Sequence, residues 1–189
     1  MLSLFFLSFA CSDVKDDHDH DHEHEVMTTV ILDFTDADGG TSQFQFIDLQ
    51  DGNTPTTDSI AITSGTYTVD ISIFNELETP TEDVTPEISD EADEHQFFFS
   101  GDVEGCTDGQ ELVSHDYGDT DSSGFPIGLT NTITTLAAGS GDLIVSLRHL
   151  AFEDGQQVKT ATLENDFCSG GTLPGDWDFQ VTFPLTITE

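Results

Sequence analysis

The chain has 189 residues, 38 of them Asp or Glu against only 3 Lys or Arg, for a formal net charge of −35. That length is a prior for one folded domain, and 35% apolar residues including 15 Phe can build a core, which argues against wholesale disorder. Nucleic acid and anionic membrane surfaces are excluded as direct partners, because their phosphates must be met by Lys and Arg; an acidic field draws cations and basic partners instead.

The chain opens with an apolar run, Met1-Leu2-Ser3-Leu4-Phe5-Phe6-Leu7-Ser8-Phe9-Ala10. It has the length of a signal-peptide core and is too short to span a bilayer. A small residue, Ala10, stands directly before Cys11. This pattern resembles the lipobox of bacterial lipoproteins, in which a peptidase cleaves before a cysteine that carries the lipid. The resemblance implies a signal peptide over 1–10, lipidation of Cys11, and attachment to the outer membrane through that lipid. An ordinary secretory signal with a coincidental cysteine is the competing reading. The following Ser12-Asp13-Val14-Lys15-Asp16-Asp17 resembles the export signal of surface-displayed lipoproteins of the Bacteroidota, which implies a polypeptide facing the cell exterior.

Residues 11–25 are low in complexity and read as a disordered tether. Within it, His18, His20, His22 and His24 alternate with carboxylates. In an extended chain a period of two puts the four imidazoles on one side and the acids on the other. Imidazole suits Zn²⁺ and Cu²⁺, and neighbouring carboxylates orient rings or join as ligands. A flexible tract loses entropy on binding, so modest affinity and loose metal choice are expected. The competing reading is a solvated acidic tether in which the histidines are incidental.

Strand signals begin at Val26. Val30, Leu32 and Phe34 share one face of a β-branched run, and Asp36-Ala37-Asp38-Gly39-Gly40 turns it into a second run over 43–48. A short run over 59–63 follows, then Tyr67, Val69, Ile71 and Ile73 alternate cleanly. The spacing next predicts one helix, with Thr85 as N-cap, Pro86 at the first helical position, and acidic residues continuing to Glu94. Val84 and Ile88 would rest on the sheet. On that helix Glu91 and His95 stand four residues apart on one face, a workable metal-ligand spacing, although such a pair is also an ordinary surface hydrogen bond; His115 and His149 lie elsewhere. Strand structure restarts at Phe97-Phe98-Phe99.

In the second half, runs over 112–117 and 130–135 and the alternation of Leu143, Val145, Leu147 and His149 read as strands. In the closing run Trp177, Phe179, Val181, Phe183, Leu185 and Ile187 are expected to face one way. Between them, Asp119, Asp121 and Ser123, followed by Gly124, place oxygens as in the opening of a calcium loop of EF-hand type. The pattern then fails, because position twelve is Thr130, and a plain hairpin turn is the competing reading. With Cys11 assigned to lipid, Cys106 and Cys168 are expected to form a disulfide, the default for two cysteines in an exported domain. Paired thiolate metal ligands are the alternative.

The segments around Thr28-Thr29, Asp93-Glu94-His95-Gln96-Phe97-Phe98-Phe99 and Phe125-Pro126-Ile127-Gly128-Leu129-Thr130 resemble a group of small His/Asp-rich surface lipoproteins of the Bacteroidota. Members of that group are often labelled as type 1 periplasmic-binding folds. Such a fold needs strands alternating with helices over two lobes, which the length and strand content here do not supply. Many short strands separated by turns predict instead an all-β domain over 26–189. The expected form is an immunoglobulin-like antiparallel β-sandwich with one short helical insertion. No nucleophile elbow, phosphate loop, zinc-protease helix or dinucleotide fingerprint is present, so no enzymatic activity is expected. The expected function is capture of Zn²⁺ or Cu²⁺ for a partner transporter, with a TonB-dependent receptor implied by the resemblance. The alternative is a structural or adhesive surface module whose loops take Ca²⁺.

Overall fold

A computed structural model describes residues 26–106 and 110–189. The expected signal peptide over 1–10, Cys11 and the His/Asp-rich tether therefore lie outside the described residues. The first half of the chain holds β1 (Thr29–Asp36), β2 (Thr41–Ile47), β3 (Thr56–Thr57), β4 (Ile60–Thr63), β5 (Thr66–Asn75), β6 (Glu82–Asp83) and α1 (Thr85–Asp90). The second half holds β7 (His95–Gly101), β8 (Val113–Tyr117), β9 (Thr130–Thr135), β10 (Gly139–His149), α2 (Leu163–Cys168) and β11 (Asp176–Thr188).

These strands make the two layers of an all-β sandwich. One sheet runs β3-β2-β1-β5-β9-β8, with β6 alongside the far end of β5. The other runs β4-β11-β10-β7. Pairing is antiparallel except for β4 beside β11, which is parallel. The chain crosses from one sheet to the other between β4 and β5, where the Ser64 amide still bonds to Thr188 O and the Gly65 amide already bonds to Thr135 Oγ1.

Alternation decides which side chains fill the space between the sheets. Val30, Leu32 and Phe34 of β1 join Tyr67, Val69, Ile71 and Ile73 of β5, as expected from their spacing. From the other layer come Phe97 and Phe99 of β7, Leu143, Val145 and Leu147 of β10, and Val181, Phe183, Leu185 and Ile187 of β11. Phe34 anchors one end through edge-on contacts with Phe44 and Tyr67 at 5.5 and 5.8 Å. Val84 and Ile88 close the other end beneath α1.

Four sequence expectations are corrected. Thr85 is not the cap of α1 but its first residue; its hydroxyl accepts the Ile73 amide at 2.9 Å, and the Thr85 amide is met by Asp83 Oδ1 at 3.1 Å. The helix stops at Asp90, well short of Glu94, because the chain must turn through 91–94 to enter β7. A second helix, α2, was not expected; its six residues are too few for a visible apolar period beyond Leu163 and Phe167. Finally, Trp177 does not share a face with Phe179. Leu147 pairs with Phe179 but Arg148 pairs with Trp177, so the bulge at Asp178 reverses the alternation and turns Trp177 to the outer face, 43% exposed.

That reversal serves a second, smaller cluster on the outside of the β4-β11-β10-β7 sheet. Residues 150–175 fold back as a strap over this face. Buried Leu150 and Leu163 pack there with Phe98 of β7, and Val158, Phe167 and Leu173 complete the cluster. Phe98 meets Phe167 at 4.9 Å and Trp177 edge-on at 6.2 Å. The strap carries α2 against β7, and Glu164 of α2 reaches His115 on β8. The strap thereby spans the side of the sandwich where β7 and β8, the edge strands of the two sheets, lie near each other.

Candidate functional site

The residues predicted as ligands divide into three groups. His18, His20, His22 and His24, with Cys11, lie outside the described residues. The others gather at the end of the sandwich where α1, the loop 118–129 and the strap meet, or at the disulfide.

Glu91 and His95 do not share a helix face, which corrects the spacing argument: Glu91 ends α1 and His95 begins β7. What joins them is a backbone contact, His95 Nδ1 to Glu91 O at 3.2 Å. His95 is fully buried and its ring stacks on that of His149 at 4.7 Å, while His149 Nε2 lies 3.3 Å from Glu94 Oε2. The register explains the stack, since His95 and His149 are directly paired across β7 and β10 and both point inward.

Asp119 and Asp121 are both brought to this end, but their oxygens face the protein. Asp119 Oδ1 accepts the Gly128 amide at 2.7 Å, and Oδ2 accepts those of Leu129 and Thr130 at 3.0 and 3.1 Å. Gly128 needs its φ of +92° here, and a Cβ would press on Phe97 and Tyr117. Asp121 Oδ1 accepts the amides of Ser123 and Phe125 at 2.8 and 2.9 Å. Its Oδ2 accepts Gln157 Nε2 at 2.6 Å and lies 3.3 Å from Lys159 Nζ, with both charged side chains sealed from solvent. A lysine thus stands against the oxygen a calcium ion would use. Ser123 contributes its backbone amide. Among the described residues no group of three or more His, Cys, Asp or Glu is arranged to hold a metal.

Lys159 is the centre of this knot. Its ammonium donates to Ala92 O at 2.8 Å and to His95 O at 2.9 Å, so it ties the strap to the α1–β7 turn as well as to Asp121. Burial pushes its pKa down, against the pull of Asp121, Asp93 and Asp119. For Asp121 burial pushes the other way, but the Phe125 amide, the Lys159 charge and the Gln157 amide outweigh it and hold the carboxyl below its usual value.

Arg148 works in parallel on the outer face. Its guanidinium donates to the carbonyls of Leu173, Pro174 and Gly175 at the end of the strap and lies 4.4 Å from the centre of the Trp177 ring. Burial lowers its pKa, with Asp176 and Asp178 opposing. Gly175, at φ +69°, is needed because a Cβ there would collide with His149 O.

His115 makes the third link. Asn131 donates Nδ2 to Gly128 O at 2.7 Å, which fixes its Oδ1 toward His115 Nε2 at 2.9 Å and makes that nitrogen a donor. The other nitrogen lies 3.3 Å from Glu164 Oε1 on α2. The ring stacks on Phe99 at 3.9 Å. Tyr117, which donates to Phe97 O at 2.7 Å, packs edge-on beside it, and its hydroxyl is pushed to higher pKa by burial and by the Glu164 charge.

Cys106 and Cys168 are joined as a disulfide, tying the end of α2 to the loop after β7. Sequence reasoning found this bond and the acidic loop and named His115 without its partners, but missed Lys159, Arg148 and Asn131. Scarcity was the available signal for two of these, because only 3 basic residues occur in the chain. Lys15 lies outside the described residues, while Arg148 and Lys159 are 7% and 3% exposed, so the described surface carries carboxylates without an exposed basic partner. No described helix is long and apolar enough to cross a membrane. The chain matches no protein family, no curated protein and no solved structure with which it was compared.

Proposed function

We propose that this protein is a surface-exposed outer-membrane lipoprotein that captures Zn²⁺ or Cu²⁺ through His18, His20, His22 and His24 and passes it to a partner transporter of the TonB-dependent class. The observation that carries the reading is the strict alternation of four imidazoles with carboxylates, a few residues after the cysteine of a lipobox-like segment. The folded domain is consistent with it as a carrier. Its exposed carboxylates, unopposed by basic side chains, raise the local concentration of cations. The rival, a structural or adhesive module with Ca²⁺-binding loops, has less to draw on, because Asp119 and Asp121 already serve backbone amides and Lys159.

The test is Zn²⁺ retention against pH for the intact chain and for a variant with the four histidines changed to Asn. Imidazole ligates only when neutral, so retention by the intact chain should fade as pH falls through the ordinary imidazole range near 6.5. The variant should hold little metal at any pH. Coincident curves would remove the support for capture, and a Ca²⁺-dependent melting temperature in the same variant would favour the rival. In cells, Cys11→Ala should release the protein from membranes, because lipid is the anchor this reading supplies.

A further inference from the structure

The strap over 150–175 is attached unlike any other part of the domain. Its apolar seat is small, with Phe98, Leu150 and Leu163 buried and Val158, Phe167 and Leu173 half-buried around them, and it is separate from the core between the sheets. Its polar attachments are individual bonds, and its covalent tie to the body is at Cys168, in the C-terminal part of the strap. The strap is also acidic at Glu153, Asp154, Glu164 and Asp166, against a body that is acidic as well. Like charge on both sides opposes docking once the tie is gone.

We propose that the Cys106–Cys168 disulfide is a redox lock on this strap: reduction lets residues 150–175 leave the body as one unit while both sheets stay folded. The step is balanced by a dithiol reductant. The dithiol supplies two electrons and two protons; the bond between the two sulfurs breaks to give two thiols, and the reductant closes to its own disulfide. Opening withdraws Lys159 from Ala92 O and His95 O and uncovers Phe98 together with the neighbouring outer side of β7. This edge strand is then without its cover, while the Phe97 amide remains bonded to Ile127 O on the body. The locked form therefore hides, and the unlocked form presents, an apolar and partly unpaired strand.

Hydrogen exchange on the full chain, with and without dithiothreitol, decides the matter. On reduction, exchange over 150–175 should rise about tenfold or more while β1, β5, β10 and β11 keep their protection. An amine-labelling reagent should modify Lys159 only in the reduced chain, and a C106S/C168S double variant should behave as the reduced protein does without reductant. Unchanged exchange in the strap, or a double variant in which Lys159 stays unlabelled, would overturn the lock. Loss of protection in all strands together would overturn it too, by showing that the disulfide braces the whole sandwich.

Discussion

Between the sheets, Val69, Ile71, Val145, Leu147, Phe183 and their neighbours form one continuous apolar cluster to which nearly every strand contributes. Beneath the strap, three buried side chains are supplemented by Arg148 on three carbonyls, Lys159 on two carbonyls and Asp121, His115 on Glu164, and one disulfide. The first region is held by area, a non-directional and widely shared quantity. The second is held by directed contacts, each of which depends on one residue. A chain with so few basic side chains has spent both described ones here, where a carbonyl-rich turn and a buried carboxylate could not otherwise be satisfied. The contrast teaches that the sandwich should lose stability as a whole, whereas the strap should respond to the loss of a single contact.

The sharpest way to break this contrast is in the main core. Phe183→Ala, at a fully buried position, should cost about 3–5 kcal/mol through lost burial and the cavity left behind. Chemical denaturation should show that loss as one transition shared by the strands of both sheets. Sheets that melted separately would contradict a sandwich held by one shared core.

Next in size is Lys159→Met. Removing one partner of a sealed ion pair leaves Asp121 facing the interior, a loss of about 3 kcal/mol. The two carbonyls it serves would also go unmet. Here limited proteolysis within 150–175 should accelerate before near-ultraviolet circular dichroism reports loss of the main core. Simultaneous loss would contradict a locally held strap.

The smallest effect is expected from acid. Asp121 is held below its usual carboxylate value in the folded chain, so the folded state binds that proton more weakly than the unfolded chain does. Its contribution is present above about pH 4 and declines as pH falls through the lowered value. Lys159, held below its own usual value, remains protonated throughout that range and leaves the direction unchanged. Protease sensitivity of the strap should therefore rise below about pH 4, ahead of general unfolding; a strap that stays resistant as acid dissolves the sandwich would remove Asp121 as its anchor.

Much of the first region was legible because a strand buried on one face writes a period of two into the chain, and β1, β5 and the later part of β11 obey it. The disulfide was legible from the count of cysteines once export was expected. The candidate site was legible only as residue types. Asp119 and Asp121 were visible as oxygen ligands in a turn, but the amides of Gly128, Leu129 and Thr130 that occupy Asp119 come from the far end of the same loop and the start of β9. Lys159 is 38 residues from Asp121 by sequence number, and no local pattern connects them.

The sequence by itself determined the class of fold, the side of most strands that faces inward, and an acidic surface, because burial period and charge are local properties of the chain. Tertiary structure alone decided that Glu91 and His95 part company at a helix end, and that Asp178 bulges and sends Trp177 outward. It also decided that a lysine and an arginine are buried between a strap and the body to hold it across the β7–β8 side. Each of these depends on which distant groups need a hydrogen-bond partner once the sheets have closed. Such needs arise only between segments that meet in space, and so no stretch of sequence records them.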